Sequence, residues 1–425
     1  MCGIVGAVAE RNVVPILMEG LRRLEYRGYD SAGIAIRTDD GMVRVRRVGK
    51  VQELQNALDE SPVRGGTGIS HTRWATHGVP NETNAHPHLS SEKIAIVHNG
   101  IIENYEELRN DLKAKGYEFT SDTDTETIAH RIHYNAQQAD DFIGAVRKTV
   151  AELEGAYAIA VMNTDSPEQL VIARQGAPAV VGIGIGENFV ASDVAALLPV
   201  TRNFIFLEEG DVALVERKQV TIWNEQGERV EREVRESALD ADAAERGEFR
   251  HYMLKEIYEQ AAAVGRTLDG RIVDGRVLEA SFGPLANDAL DKTKGVHIVA
   301  CGTSFHAGLV ARYWIEALCG LPCTVEIASE YRYRSPVVPE NTLFVTISQS
   351  GETADTRAAL RAANEAGYIS TLTICNVPER SMVRESDLTM MTHAGPEIGV
   401  ASTKAFTTQL AALALLTISL ARRGG

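Results

Sequence analysis

A cysteine at position 2, directly after the initiator methionine, is where this chain offers its most distinctive chemistry. A small residue there lets Met1 be removed, which would leave Cys2 with a free α-amine. Such an amine has an ordinary pKa of about 7.7–8.0, against about 10.4 for lysine, so an appreciable fraction is neutral at pH 7. A neutral amine can take the thiol proton, which makes the residue its own general base. The sulfur could then attack an amide carbonyl, and a side-chain carboxamide attacked in this way would give a thioester and ammonia. The plainer alternative is a buried cysteine in a first strand, and Met1-Cys2-Gly3-Ile4 alone does not separate the two.

Other segments carry partners for such a nucleophile. Asn99-Gly100 follows an apolar run, where a side-chain amide and a backbone N–H could converge on a developing oxyanion; an ordinary Asn-Gly turn is the alternative. Arg73, in His71-Thr72-Arg73-Trp74-Ala75-Thr76-His77-Gly78, has the planar fork that suits an α-carboxylate. Asp124, in Ser121-Asp122-Thr123-Asp124-Thr125-Glu126, could hold an α-ammonium. The same stretch also reads as a capping box with Thr123 as N-cap and Glu126 three residues on. His71, His77, His86 and His88 lack the spacing of a ligand set, so no metal is expected. Gly182, Gly184 and Gly186 are not a dinucleotide fingerprint, because the third required glycine falls on Glu187; a hairpin turn is expected there.

A second kind of chemistry lies further on. Ser348-Gln349-Ser350-Gly351-Glu352-Thr353 and Cys301-Gly302-Thr303-Ser304 each sit between an apolar run and a helical pattern. Free N–H groups at a helix start favour an anion, and hydroxyls and an amide add donors without adding charge. Two such loops on neighbouring units suit a phosphate, although Ser and Thr also serve as simple helix caps.

The elements that must position these groups fall into two grammars. Up to about Val234 the chain reads as short strands, among them Ile4 to Val8, Gly33 to Arg37, Gly68 to His71, Ile94 to His98 and Tyr157 to Met162. Amphipathic helices at Val14 to Leu24 and Asn104 to Lys115 interrupt them, so an α+β layered sandwich is expected. From Glu228 to Arg250 charge rises and apolar residues thin out, which reads as a linker. After a helix at Tyr252 to Thr267, strand–turn–helix units at 296–300, 343–347 and 371–375 predict a doubly wound α/β domain with a parallel sheet.

The bulk numbers bound the function. The 425 residues are 44% hydrophobic and 24% charged, a balance that can bury two or three cores. A net charge of −15 disfavours nucleic acid and anionic membranes as partners. The longest apolar stretch, Leu410 to Leu420, is too short to span a bilayer. Cys2, Cys301, Cys319, Cys323 and Cys375 form no paired framework, so a reducing, cytoplasmic setting is expected.

Taken in order, Met1 to Ile4, Tyr26 to Gly33, His71 to Gly78, His98 to Gly100 and Thr123 to Glu126 resemble the glutaminase domain of the N-terminal-nucleophile (class II) glutamine amidotransferases. That resemblance implies Cys2 as nucleophile and Asn99 and Gly100 as oxyanion hole. It implies Arg73, Thr76, His77 and Asp124 as glutamine contacts, and Trp74 as gate on an ammonia passage. Ala300 to Ser304, Ser348 to Thr353, Asn376-Val377-Pro378 and Glu397 to Thr407 resemble a sugar-isomerase (SIS) domain. By that likeness Thr303, Ser304, Ser348, Gln349, Ser350 and Thr353 hold a sugar phosphate, with Val400 and Ser402 near the sugar.

Glutaminase followed by SIS is the order of the amidotransferases that aminate fructose 6-phosphate. The resemblance therefore implies L-glutamine and D-fructose 6-phosphate as substrates, and L-glutamate and D-glucosamine 6-phosphate as products, at the first step of hexosamine and UDP-N-acetylglucosamine synthesis. It implies a homodimer and no cofactor. The expected division is a glutaminase domain at 1–235, a linker at 236–250, and a helical lead-in with one SIS domain at 251–425. Family members carry a second SIS domain with the Schiff-base lysine and the isomerising Glu and His; Lys404 matches a different position. A sugar-phosphate-binding module with glutaminase activity alone is the other reading. Neither a Ser-Gly-Gly-x-Asp-Ser loop nor an Asp-Asp ribose-phosphate motif, marks of other class II relatives, follows residue 240.

Overall fold

Gly3–Val8 reads Gly-Ile-Val-Gly-Ala-Val, with no polar side chain to turn toward water, and all of it is buried. A strand of that kind must be covered on both faces. The structure, a computed structural model, describes residues 2–25, 30–74, 78–237, 249–378, 380–399 and 401–423. It divides into two units, Met1–Ala241 and Asp242–Gly425.

The first unit holds two antiparallel sheets. The eight-stranded sheet runs Val234–Glu236, Asn203–Phe206, Val180–Ile183, Asn188–Ala191, Gly3–Val8, Thr67–Arg73, Ser31–Thr38, Gly41–Val48. The seven-stranded sheet runs Arg229–Val230, Val220–Trp223, Val212–Glu216, Gln169–Gln175, Gly155–Asn163, Ile94–Ile102, His88–Ser90. Alternation along each strand sorts the side chains into layers. Ile4, Val8 and Ile69 from one sheet meet Ala95, Val97, Ala158, Ala160 and Met162 from the other, forming the core between the sheets. Val5 and Ala7 point the opposite way, into Leu17, Leu21 and Leu24 of helix Val14–Leu24 and Leu54 and Leu58 of helix Val51–Glu60. Ile94, Ile96, Ile159 and Val161 pack on Ile128 and Ile132 of helix Asp124–Ala136 and on Phe142 and Val146 of helix Phe142–Val150. The result is four layers, helix–sheet–sheet–helix, an α+β sandwich.

The charged stretch after Glu228 behaves differently from a linker at its start. Arg229–Val230 pairs with Ile222 and Trp223, and Val234–Glu236 pairs with Asn203 to Ile205 as an edge strand. All three residues of that edge strand are exposed, so backbone pairing rather than burial extends the sheet past the point where apolar residues thin out. The expected hairpin around Gly184 forms between Val180–Ile183 and Asn188–Ala191, closed by Gly184 N–H to Glu187 O at 3.0 Å.

The second unit is a parallel five-stranded sheet ordered Cys323–Ile327, Gly295–Ala300, Thr342–Ser348, Ser370–Cys375, Leu388–Met391. Ile298, Ala300, Val345 and Ile347 face helices Gly302–Cys319 and Lys404–Ala421, while Val299 and Phe344 face Leu360 and Ala363 of helix Ala354–Glu365. Helices on both faces make it doubly wound. Helix Lys404–Ala421 is long and apolar enough to cross a membrane, yet Ala412, Leu413, Leu416 and Leu420 sit in this core.

Candidate active site

The strand parity that sends Ile4 and Val8 into the layer between the sheets sends Cys2 to the same side. It does the same for His71 and Arg73, in step with Ile69, and for Asn99, in step with Ala95 and Val97. One end of that layer thus collects the candidate residues from both sheets. The Trp74 N–H donates to Cys2 Sγ at 3.2 Å, and the thiol lies 3.5 Å from Trp74 O. Asn99 Nδ2 donates to Cys2 O at 3.2 Å. Gly3 keeps this approach open, since a Cβ there would lie 2.8 Å from Leu24 Cβ and from Thr72 Oγ1. The Trp74 side chain itself is 53% exposed.

Burial pushes the Cys2 thiol above its ordinary value, and Asp30 adds to the rise. The Trp74 N–H and Arg73 oppose it without reversing it. Cys2 is therefore a thiol at neutral pH and needs a base before it can attack.

Arg73 ends its strand buried and donates through Nη2 to Gly78 O at 3.3 Å. Asn84 then joins that loop to the helix start: its Nδ2 reaches Val79 O and Asp122 Oδ2, each at 3.1 Å, and its Oδ1 accepts from Asp122 N–H at 3.0 Å. Asp124, the first residue of its helix, is 4% exposed and accepts from Ile102 N–H at 3.0 Å. A carboxylate at that position is favoured by the helix dipole. Thr123 caps the helix by accepting from Glu126 N–H, as the sequence pattern predicts. Glu126 does not return to Thr123; it accepts from the N–H groups of Thr120 and Ser121 and from both their hydroxyls. Two Ser/Thr hydroxyls offered by one turn outcompete a single backbone donor. Thr76 and His77 lie outside the described residues, as does the segment Tyr26 to Tyr29.

The buried histidines have hydroxyl and carbonyl partners. His86 Nε2 and His98 Nδ1 share Thr125 Oγ1 at 2.8 and 3.0 Å, and His88 Nε2 meets Thr123 Oγ1 at 3.1 Å. Burial holds His71 neutral, pulling its pKa down to about 3, and lowers His86 and His88 well below the usual value. Among the described residues no cluster of three or more His, Cys, Asp or Glu could hold a metal ion.

In the second unit, strand order reverses between Gly295–Ala300 and Thr342–Ser348, and the loops after those two strands are 301–304 and 348–353. Ligands in open α/β sheets bind at that switch point, outside the carboxyl ends of the strands. Ala300 pairs with Ile347, so the two loops leave adjacent strands side by side. Helix Gly302–Cys319 begins without a side-chain cap; Thr303 is exposed on its first turn and Ser304 buried. Ser348 Oγ accepts from Gly351 N–H at 3.0 Å and meets Thr353 Oγ1 at 3.1 Å, while Ser350 Oγ accepts from Glu352 N–H at 3.3 Å. Gln349 is half-buried beside them. Gly351 (φ +68°) is pressed against Cys375 and Arg380, where a Cβ would fall 2.8 Å from Cys375 Sγ. Ser402 donates to Glu397 Oε2 at 2.9 Å, and Val400 lies outside the described residues.

Two carboxylates that the sequence did not single out hold this last loop. Glu256, on helix Tyr252–Leu268 and 1% exposed, accepts from Ile398 and Gly399 N–H at 2.5 and 3.0 Å. Glu397 accepts from Thr403 and Ala405 N–H, each at 2.9 Å.

Known proteins match both units. A glutamine amidotransferase domain model matches residues 71–199, and a SIS domain model matches residues 289–419. The chain is 60% identical to a glutamine–fructose-6-phosphate aminotransferase [isomerizing] of Shewanella oneidensis and 57% identical to one of Escherichia coli. Each match covers 100% of this chain and 70% of the relative. A solved C-terminal domain of glucosamine-fructose-6-phosphate aminotransferase from Francisella tularensis is 55% identical over 43% of this chain and 51% of its own, with a TM-score of 0.42.

Proposed function

The chain belongs to the glutamine–fructose-6-phosphate aminotransferase family, and from that premise we propose that Cys2 releases ammonia from L-glutamine for transfer to D-fructose 6-phosphate, giving L-glutamate and D-glucosamine 6-phosphate. The observation that carries the reading is the convergence of the Cys2 thiol, the Trp74 N–H and the Asn99 amide at one end of the inter-sheet layer.

Once Met1 is removed, the Cys2 α-amine takes the Sγ proton as sulfur attacks the glutamine carboxamide carbon. Negative charge then builds on the carboxamide oxygen, where Asn99 Nδ2 and the Gly100 N–H stabilise it. Support for the second donor comes from strand alternation: the Ile102 N–H leaves its strand toward Asp124, and the Gly100 N–H, two residues earlier, is directed to the same edge. The α-ammonium returns its proton to the leaving nitrogen, the C–N bond breaks, and ammonia departs from a γ-glutamyl thioester. Water hydrolyses that thioester to glutamate and regenerates the thiol. Arg73 and Asp124 clamp the α-carboxylate and α-ammonium, with Thr76 and His77 as further contacts and Trp74 as the gate.

We propose the same loops as the sugar-phosphate site, with Thr303, Ser304, Ser348, Gln349, Ser350 and Thr353 on the phosphate and Val400 and Ser402 as sugar contacts; the switch point of the parallel sheet supports this reading. The homodimer implied by the resemblance is part of the same proposal and is checked by light scattering. The central test assays glutamate and glucosamine 6-phosphate separately, after mass spectrometry has verified loss of Met1. Both products are expected. Glutamate alone would restrict these residues to glutamine hydrolysis with sugar-phosphate binding, and neither product would sink the proposal.

A further inference from the structure

A carboxamide has two ends of nearly equal size and opposite chemistry, one accepting and one donating. Asn99 can serve an oxyanion only if its nitrogen faces Cys2, so something must decide which way the amide lies. His71 stands behind it. Its Nε2 is 3.0 Å from His98 O and 3.0 Å from Asn99 Oδ1. A backbone carbonyl can only accept, so Nε2 carries a proton. The Asn99 atom sharing that proton must also accept, which makes it Oδ1. The other end, Nδ2, is then committed to Cys2, whose carbonyl it reaches at 3.2 Å. A flipped amide would set two donors against each other at His71 and two acceptors against each other at Cys2.

The imidazole has little freedom to abandon this role. It is 0% exposed, and its ring lies 4.3 Å from that of His86, centroid to centroid. Gly33 pairs with His71 across the sheet, and its lack of a side chain admits His86 O, which a Cβ there would meet at 2.1 Å. Burial keeps the ring neutral, so its single proton stays where His98 O requires it. His71 Nδ1 is buried without a hydrogen-bond partner among the described residues, so the ring relays no proton onward.

We propose that His71 is a positioning residue for glutamine hydrolysis: its Nε2–H locks the Asn99 carboxamide with Nδ2 toward the oxyanion. This rests on the reading of Cys2 and Asn99 given above.

The test is a double-mutant cycle on the full chain with Met1 removed, following glutamate release and thermal unfolding. Asn99→Ala is expected to lower kcat about 10²–10³-fold with little change in KM. His71→Leu, which fills the space without a donor, should lower kcat about tenfold, as one lost hydrogen bond would, again with KM held. His71→Gln, whose amide can place N–H near the Nε2 position, should recover most of that loss. Added to Asn99→Ala, His71→Leu should cost nothing further in kcat. If His71→Leu does not fold, His71→Asn replaces it, since its shorter amide falls short of Asn99. Unchanged kcat in Asn99→Ala would refute the underlying oxyanion reading. A loss in Asn99→Ala together with an undiminished His71 effect in that background, or with no His71 effect at all, would overturn the positioning role alone.

Discussion

Replacing Gly100 with alanine should disable the glutaminase through the backbone. Gly100 has φ +133°, a conformation that L side chains rarely adopt, and an ideal Cβ would lie 1.9 Å from Ala156 O and 2.8 Å from Tyr157 Cα. A carbon–oxygen contact is seldom shorter than about 3.3 Å, so the two strands must part by about 1.4 Å. Strain at such a φ costs ~1–3 kcal/mol, and overpacking a tight contact costs ~1–3 kcal/mol more. The melting temperature should fall on the order of 5–20 °C for a unit of this size. The Asn99 amide and the Gly100 N–H move with the strand, and a misplacement of about 1 Å costs on the order of 10²-fold in rate. Glutamate release and circular dichroism melts measure the two effects. Gly116→Ala is the control, because Gly116 has φ +87° with nothing near its Cβ position; it should show strain without loss of rate. A Gly100→Ala protein that kept kcat within about twofold of wild type would refute the reasoning.

Other outcomes follow from the same geometry. A peptide extension that blocks Met1 removal should abolish glutamate release while leaving the melt unchanged, because no α-amine remains to accept the Cys2 proton; activity at the wild-type level would exclude the amine as base. Asp124→Asn should raise KM for glutamine by roughly 10–100-fold, the loss expected for a hydrogen bond to a charged group; an unaltered KM would remove Asp124 from the clamp. Acid should loosen the first unit early. Desolvation lowers the pKa values of His71, His86 and His88 in the fold, so the unfolded chain binds more protons below its ordinary value of about 6.5. Each neutral histidine then withdraws up to about 1.4 kcal/mol per pH unit as pH falls, a loss that for His71 continues to about pH 3. A melting temperature flat from pH 7 to 5 would contradict that. Glu256→Ala should raise KM for fructose 6-phosphate by unpinning the Ile398 and Gly399 N–H groups, with glutamine hydrolysis untouched; an unchanged sugar KM would show that the loop holds itself.

The parts of this molecule that were legible beforehand are those with a local code. The strand–turn–helix units of the second half announce a parallel sheet, and the turns after Ala300 and Ser348 carry their hydroxyls in sequence. Cys2, Asn99 and Asp124 were legible because each stands in a short motif. Layer order in the first half was not, because Ile4, Val5, Ala95 and Ile96 are all apolar and all buried. When both faces of a strand are covered, alternation vanishes and nothing local says which neighbour meets which sheet. The edge strand Val234–Glu236 hid for the opposite reason, being polar enough to pass for linker. His71 looked like a metal decoy since its role depends on Asn99, 28 positions away.

That last distance belongs to a wider pattern. The contacts that make the Cys2 site join positions 72 and 97 residues apart, and none is made within one element. Closing loops of that length comes late, once the two sheets have met. Glutamine hydrolysis is therefore a readout of completed tertiary assembly rather than of secondary structure. During refolding it should return with the slowest packing phase, after helical signal has recovered. A nascent chain exposes its nucleophile first of all, yet it remains harmless to the glutamine around it until the sandwich closes.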